Sequence, residues 1–572
     1  MTLTSALHTA TNALLVTQSG ISVASSNVSN AGTEGYTRKT LSTDSVVLSG
    51  YGAGVTSGGV TSSADPFLTA SIVEQSSDAG EANVIAMYLD WLQQGLGSTS
   101  SETNLTADVA SLVSELQSLS TTPESDSQAA LVVSAAEDLA QELSTQSSNI
   151  QELRDQANND IAQSVSDINQ SLEVIDQLNE QILLANSQGT STLDLEDKRA
   201  LELEKLATEL DISYFTTSDN QTYVYTSSGQ PLVDSQVHEL SYDPAANVDA
   251  AMTYPGGFDA ITLNGKDITE DISGGELGGF IALRDDILPE QQETLDVMAH
   301  SLISEINAVY ENGVAYPAPA TITGTESFTG ADAFSATGEV RVALVDSEGS
   351  LQSYQDVDLS ALATIDDVVS ALDSITGISA SLSSDGNLLI ESDDPSMGIG
   401  LSQLDSAVGG DADSFSSYFG VQQFFTGTSA SDIAVSETLK NDPGSLATGQ
   451  LDTSATLTVG DNVISVGDSS ISEALYDVMT SSTTLGSTTD TYESYSADYV
   501  ATVAQDAANA QTTADAEQLS LDNLKTELSN KTGVNVDEEL AYITQLENQY
   551  AAAAAIIDTL QSLFDELIST VR

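Results

Sequence analysis

Two apolar stripes with seven-residue periodicity stand at opposite ends of this chain, and they constrain it more than anything between them. Near the start, Leu3, Leu7, Ala10, Leu14, Thr17, Ile21, Ala24 and Val28 follow a four–three spacing. Near the end, Ile543, Leu546, Tyr550, Ala553, Ile557, Leu560, Phe564, Leu567 and Val571 alternate three and four. Such spacing keeps one helix face turned toward a partner over its whole length, as in a coiled coil. Alanine and threonine among the positions bury little area, however. At roughly 25 cal/mol per Å², a lone pair of such helices is marginal against ordering costs of roughly 1–2 kcal/mol per residue. Each stripe could pack within its own monomer, but glycine-containing breaks (Gly32 and Gly35, Gly533) set both ends apart from the rest. Assembly with other subunits would supply the missing burial.

The 572 residues exceed what one core can hold, so several domains are expected. A second helical region opens at Asp65-Pro66, where proline suits a first helical turn, and runs to about Leu210 with breaks at 95–104 and 121–125. Ile161, Val165, Ile168, Leu172, Ile175, Asn179 and Ile182 continue a three–four spacing until Gly189. These long, weakly apolar helices predict an antiparallel bundle. From Ile212 the period becomes two, and ISYFTTSDNQTYVYTSSGQPLV reads as strands joined by a polar turn. Helix returns after the glycines of 274–279. Residues 313–430 form an inserted unit of β–β–α–β–β order, with Asp385-Gly386 as a hairpin signal. The fold class is therefore mainly α with β modules, an α+β multidomain chain. Terminal coiled-coil helices flank a long helical bundle with a small β part, and the inserted α/β domain faces solvent.

The formal charge is −73, from 86 acids and only 13 lysines and arginines. Nucleic-acid affinity comes from basic side chains displacing counterions, and no basic patch exists, so nucleic acid and anionic membrane are poor partner candidates. A solubility adaptation to a saline or high-pH exterior fits this balance. Cysteine is absent, which removes disulfides, thiol catalysis and zinc–thiolate sites. No apolar run reaches the ~18–20 residues of a membrane helix. MTLTSALHTATNALL lacks a charged n-region and a small-residue cleavage site, predicting export without a cleaved signal peptide. His8, His238 and His300 are far apart, Asp285-Asp286 and Asp393-Asp394 are expected by chance among so many acids, and Asp411 and Asp413 lack a full calcium loop. No catalytic, cofactor or metal residues are assigned, and the chain is read as a non-enzyme.

Residues 26–39, SNVSNAGTEGYTRK, carry the next signal: a turn, an aromatic and two scarce cations directly after the first helix. The stretch resembles the signature of bacterial flagellar axial proteins, N-[IV]-x-N-x-x-T-x-G-Y-[ST]-R, matched by Asn27, Val28, Asn30, Thr33, Gly35, Tyr36, Thr37 and Arg38. Glu34 stands where that signature usually has proline. The segment GVNVDEELAYITQLENQYAAAAAIIDTLQSLFDELIST is similar to the other end of the same family. In the middle, TSTLDLEDKRALELEKLATELDI, GGELGGFIALRDDILP and FFTGTSASDIAVSETLKNDPGSLATG resemble blocks of its hook-associated group at the hook–filament junction.

What this resemblance implies is a structural subunit of the bacterial flagellum, extracellular and exported through the flagellar type III apparatus. Its partners would be further copies in a ring on the flagellar axis, the hook protein, a second junction protein and an export chaperone at the C-terminal helix. The termini, 1–62 with 535–572, would build the inner tube; 63–312 with 431–534 would form the helical outer domain; 313–430 would protrude. The assembly interface is assigned to Leu3, Leu7, Leu14, Ile21, Val28, Asn30, Gly35, Tyr36, Arg38, Ile543, Leu546, Tyr550, Ile557, Leu560, Phe564 and Leu567. Tyr36 is expected to anchor the turn, and Arg38 and Lys39 to bridge acidic neighbours in adjacent subunits. The rival readings are another axial protein (hook or distal rod), a secreted helical adhesin, and a hydrolase hidden in 313–430.

Overall fold

The computed structural model describes residues 3–48, 51–97, 104–410 and 412–571. In chain order, α1 (Leu3–Asn30) leads to the antiparallel hairpin β1–β2 (Lys39–Leu48 and Tyr51–Ser62). Then come α2 (Pro66–Leu96), α3 (Leu105–Thr121), α4 (Asp126–Gln188) and α5 (Leu193–Glu209). After two small three-stranded sheets follow α6 (Gly275–Ala282), a π-helical turn (Leu283–Ile287) and α7 (Leu288–Tyr310). The insertion holds α8 (Ile365–Asp373) and α9 (Phe415–Phe419). The chain returns through α10 (Glu437–Asn441), α11 (Ser470–Thr480), α12 (Tyr492–Thr532) and α13 (Val536–Val571).

Polar caps and turn residues set these boundaries. Asp65 accepts from the amides of Phe67 and Leu68 ahead of Pro66, and Ser125 accepts from Gln128 N. The 63-residue α4 ends where Gly189 turns left-handed at φ 68°. Along α4, Ile150, Ala157, Ile161, Ile168, Leu172, Ile175 and Ile182 are fully buried, the face that joins α3, α5 and α7 into one core. Alanines let α2 and α12 approach closely: Ala82, Ala86 and Ala514 share one buried contact, and Ile72, Ala79 and Leu521 another.

Two glycines mark where backbones meet. A Cβ on Gly80 of α2 would sit 2.4 Å from Thr208 O, and one on Gly275 would sit 2.5 Å from the Glu209 backbone. Gly275 also adopts φ +68°, so the approach to α6 admits only glycine comfortably. Immediately after it, Glu276 shares its surroundings with Glu209, Asp167 and Asp160, and burial followed by these charges pushes its carboxyl up to about 7. A raised carboxyl favours folding fully below its ordinary 4.5 and loses that contribution as pH rises through about 7. Glu276→Gln is therefore expected to stabilise the protein by about 1–2 kcal/mol at alkaline pH, after allowance for solvent screening. At acid pH it should give no gain. Thermal denaturation at the two pH values checks this; an equal gain at both contradicts it.

Two buried arginines hold the small β part to α4. Arg284, in the π-helical turn, donates to both oxygens of Asp285 (2.8 and 2.6 Å) and to Tyr242 Oη (2.6 Å), with Phe258 4.5 Å from its guanidinium carbon. Arg154 donates to the carbonyls of Arg284 (3.0 Å), Asp249 (3.0 Å) and Met252 (2.6 Å). One member of the Asp285-Asp286 pair thus has a structural task that chance expectation overlooked.

The insertion has its own core. A three-stranded antiparallel sheet (351–358, 339–345, 398–402 in spatial order) and a second (321–327, 387–392, 378–382) enclose Val340, Val342, Leu388, Ile390, Leu401, Phe415 and Phe419. Its edges differ from the expected 313–430. Phe424, Phe425, Ile433 and Val435 already belong to the helical core, whereas Leu451, Val463 and Ile464 pack on Val345 and Leu351 of the insertion. Leu351 N donates to Asp461 O (2.8 Å) and Val463 N to Gly349 O (2.9 Å), so 451–464 covers a sheet end instead of joining the helices.

Candidate assembly site at the paired termini

The two stripes meet each other. α1 and α13 pack side by side, with the β1–β2 hairpin against α1. A Cβ on Gly20 would lie 3.0 Å from Leu546 Cδ1 and 3.8 Å from Leu41 Cδ2, so all three elements converge there. Leu3, Leu7, Leu14, Ile21 and Val28 are partly buried on α1, as are Ile543, Ile557, Leu560 and Phe564 on α13, while Leu546 is buried. Tyr550 and Leu567 remain exposed. Around them Leu15, Leu540, Ile556, Leu563 and Ile568 are also exposed, roughly half of each side chain facing solvent. The first partner of each stripe is therefore the opposite end of the same chain, and the pair leaves an apolar outer surface.

What brings ends so distant in sequence together is a polar knot directly after α1. Asn27 is buried, and its carboxamide brackets the start of β1: Nδ2 donates to Lys39 O (2.8 Å), and Oδ1 accepts from Lys39 N (3.0 Å) and Tyr36 Oη (3.0 Å). The same Nδ2 reaches Glu539 Oε2 at 3.1 Å, in the first turn of α13. Glu539 is 1 % exposed and takes its second bond from Arg38 Nε at 2.7 Å. Arg38 N donates to Thr532 O (2.7 Å), closing the link to the end of α12. Each buried acceptor is thus matched by a donor from a different segment.

Asp197 of α5 ties this knot to the helical domain. It accepts from Thr37 N (3.0 Å), from Thr37 Oγ1 (2.7 Å) and from Lys39 Nζ, which is itself buried. The Lys39 ammonium also lies 4.5 Å from the Tyr36 ring centre, a cation–π contact. Burial, with Asp194 and Asp197 nearby, raises the Tyr36 phenol above its ordinary value, so it acts as a neutral donor to Asn27. Tyr36 anchors the turn in this way. Gly35 turns at φ 72°, where an added Cβ would lie 3.5 Å from Leu201 Cβ, and Asn30 donates back to Ser26 O (2.9 Å). Glu34 is exposed, and nothing in the structure explains its presence in place of proline.

Within the single chain Arg38 pairs with Glu539 and Lys39 with Asp197, so both cations already have acidic partners without a neighbouring subunit. Asp197 and Glu539 were not among the assigned interface residues. Each nonetheless lies in a quoted block, LDLEDKR and GVNVDEE, and a search for carboxylates able to match the only two bases near the turn would have raised them. Leu193–Arg199, Gly533–Glu539 and Asn27–Lys39, far apart in sequence, form one contact. His8 and His300 are exposed on helices and His238 faces Asp234 at 3.3 Å. Asp411 lies outside the described residues. Among the described residues no group of three or more histidines and acids is placed to hold a metal ion.

Residues 91–325 match the family described as the flagellar hook-associated protein FlgK helical domain. The chain is 24% identical over 588 residues to flagellar hook-associated protein 1 of Escherichia coli (strain K12), spanning 99% of this chain and 100% of that protein. It is 25% identical over 391 residues to the Bacillus subtilis (strain 168) protein of the same name, 60% of this chain and 75% of that one. The structure of the flagellar hook junction protein FlgK from Burkholderia pseudomallei superposes with a TM-score of 0.50 at 16% identity, covering 80% of this chain and 99% of that one. Over nearly its whole length the chain is thus similar to flagellar hook-associated protein 1, and its residues 91–325 match the helical domain of that family.

Proposed function

We propose that this chain is a structural subunit of the bacterial flagellum that joins hook to filament, its paired α1 and α13 packing with those of other copies around the axis. The observation that supports this most is the uncovered apolar surface of the terminal pair, held at a fixed attitude to the helical domain by the Asn27–Glu539–Asp197 knot. A tube of copies would bury Leu15, Ile556, Leu563 and Leu567, and the interface residues assigned from sequence would form its inner layers. Hook protein below and a second junction protein above would be the axial contacts. Before export, a chaperone covering α13 would keep the same surface from premature association. No catalytic role is assigned.

A deletion strain tests the reading. The expected phenotype is hooks without filaments, flagellin lost to the medium and no swimming, restored by the full-length gene. Filaments of normal length on the deletion strain would sink the junction role. Normal swimming with reduced attachment would point to adhesion instead.

A further inference from the structure

A cleft opens where the insertion meets the helical domain, and its walls come from three separate cores. Ile322 and Ile399 belong to the core of the insertion, and Val314 to the small core shared with Leu451 and Ile464. Tyr310, Leu439 and Ala447 belong to the helical core. The cleft is partly enclosed, with a volume of about 280 Å³. That is room for about nine water molecules at the roughly 30 Å³ each takes in the liquid. Small-molecule sites favour such joints between domains, where apolar walls meet a few placed polar groups.

The walls are pinned by main-chain bonds. Ile399 N donates to Pro319 O (2.8 Å), and Thr325 N donates to Gly420 O (3.1 Å). Gln422 holds a left-handed backbone at φ 55° and donates its side-chain amide to Gly313 O (2.7 Å). A residue with a side chain seldom adopts that conformation, so contacts across the joint set the shape of the wall.

Two properties define the chemistry of the cleft. None of the described residues lining it carries a charge, although the chain has 86 acids. A charged guest would lose hydration there and gain no counter-charge. The second property is a surplus of donors. Ser436 is 6 % exposed, and its Oγ has no hydrogen-bond partner among the described residues. Tyr310 Oη accepts from Ala447 N (3.2 Å), and its own proton has no acceptor among them. Burial pushes this phenol up to about 12, so the proton stays on the oxygen at neutral pH. Gln423 accepts from Thr325 Oγ1 (3.2 Å) at its carbonyl oxygen, which leaves its amide N–H groups unspent. Buried donors without acceptors are costly and uncommon in folded chains.

We propose that this cleft binds an uncharged, hydroxyl-rich small molecule of monosaccharide size. Sugar oxygens accept from Ser436, Tyr310 and Gln423, and the C–H face of the ring lies on Val314, Ile322, Ile399 and Leu439. A purely apolar guest leaves the donors unmatched. Water matches the donors but wets the aliphatic wall, from which a ring displaces it.

Saturation-transfer difference NMR on the full-length chain tests this with glucose and N-acetylglucosamine as neutral probes. Both are expected to bind in the millimolar range. Glucosamine, protonated at slightly acid pH, and glucuronate should fail to displace them. Ser436→Ala should weaken the neutral sugars by about fivefold, the worth of one hydrogen bond. The same change should raise the melting temperature of the sugar-free protein, because it removes an unpartnered buried hydroxyl; damage to the fold would lower it. Thr323→Phe, at an exposed position on the rim, should abolish binding with the circular dichroism spectrum unchanged. Absence of a signal from both neutral sugars leaves the cleft to water and overturns the proposal. Displacement by the charged sugars overturns the chemistry assigned to the cleft. Unchanged binding in either folded variant places the sugar elsewhere and overturns the site.

Discussion

Replacing Asp197 by alanine is expected to free the paired termini from the helical domain. The carboxylate accepts from Thr37 N, Thr37 Oγ1 and Lys39 Nζ in a buried setting. Its removal leaves a buried ammonium and a buried amide without their acceptor. Removing one partner of a buried pair costs about 3–5 kcal/mol, most of it from the charge left behind. The loss is local, because the chain contains several cores and need not unfold as one unit. The suitable measurement is therefore protease cleavage or hydrogen exchange within α1, β1 and α13, which should quicken by two orders of magnitude or more, about 1.4 kcal/mol per factor of ten. The core of 126–182 should hold its protection. Asp197→Leu combined with Lys39→Met should be milder than Asp197→Ala alone, since apolar replacement of both partners leaves no orphaned charge. Equal protection of α1 and α13 in the parent and Asp197→Ala would show that the knot is incidental.

Arg284→Leu should produce the second large effect. The guanidinium is wholly buried, forks onto Asp285, donates to Tyr242 and stacks on Phe258. Leucine fills part of the volume but strands the Asp285 carboxylate and Tyr242 hydroxyl. A loss of about 3–5 kcal/mol from the helical domain is expected, read by thermal unfolding. Arg284→Lys should recover only part of this, because an ammonium cannot hold two carboxylate oxygens in a planar fork. A loss below about 1 kcal/mol for the leucine variant would place Arg284 among surface-like ion pairs and reject the argument.

How much of this was legible in the sequence depends on the range of the interaction. Helix ends were legible because they are written locally: the breaks around residue 100 and at 121–125, the Gly189 stop, and the change of period at Ile212 all fall at observed boundaries. The terminal stripes were legible as helices but not as partners, since a heptad repeat declares that a face will be covered without saying by what. Arg38 and Lys39 were noticed as scarce, yet their acceptors lie 501 and 158 positions away, beyond any local pattern. The strand-like cover formed by 451–464 has no periodicity of its own; only the apolar end of the insertion sheet, visible once folded, gives Leu451, Val463 and Ile464 a place. The task of Asp285 was hidden for a related reason: in a chain with 86 acids, one useful carboxylate looks like all the rest.

The contact between Asn27 and Glu539 bears on the order of events during synthesis. The two residues are 512 positions apart, so the bond cannot form until nearly the whole polypeptide is available. The entropy of closing so long a loop grows only slowly with length, and folding of the intervening residues would shorten the gap. A chain broken off before residue 539 would leave Asn27 and Arg38 facing an empty socket, with α1 lacking both its companion helix and its tether. Only copies that reach Glu539 can therefore tie α1 to α13 through Asn27 and Arg38.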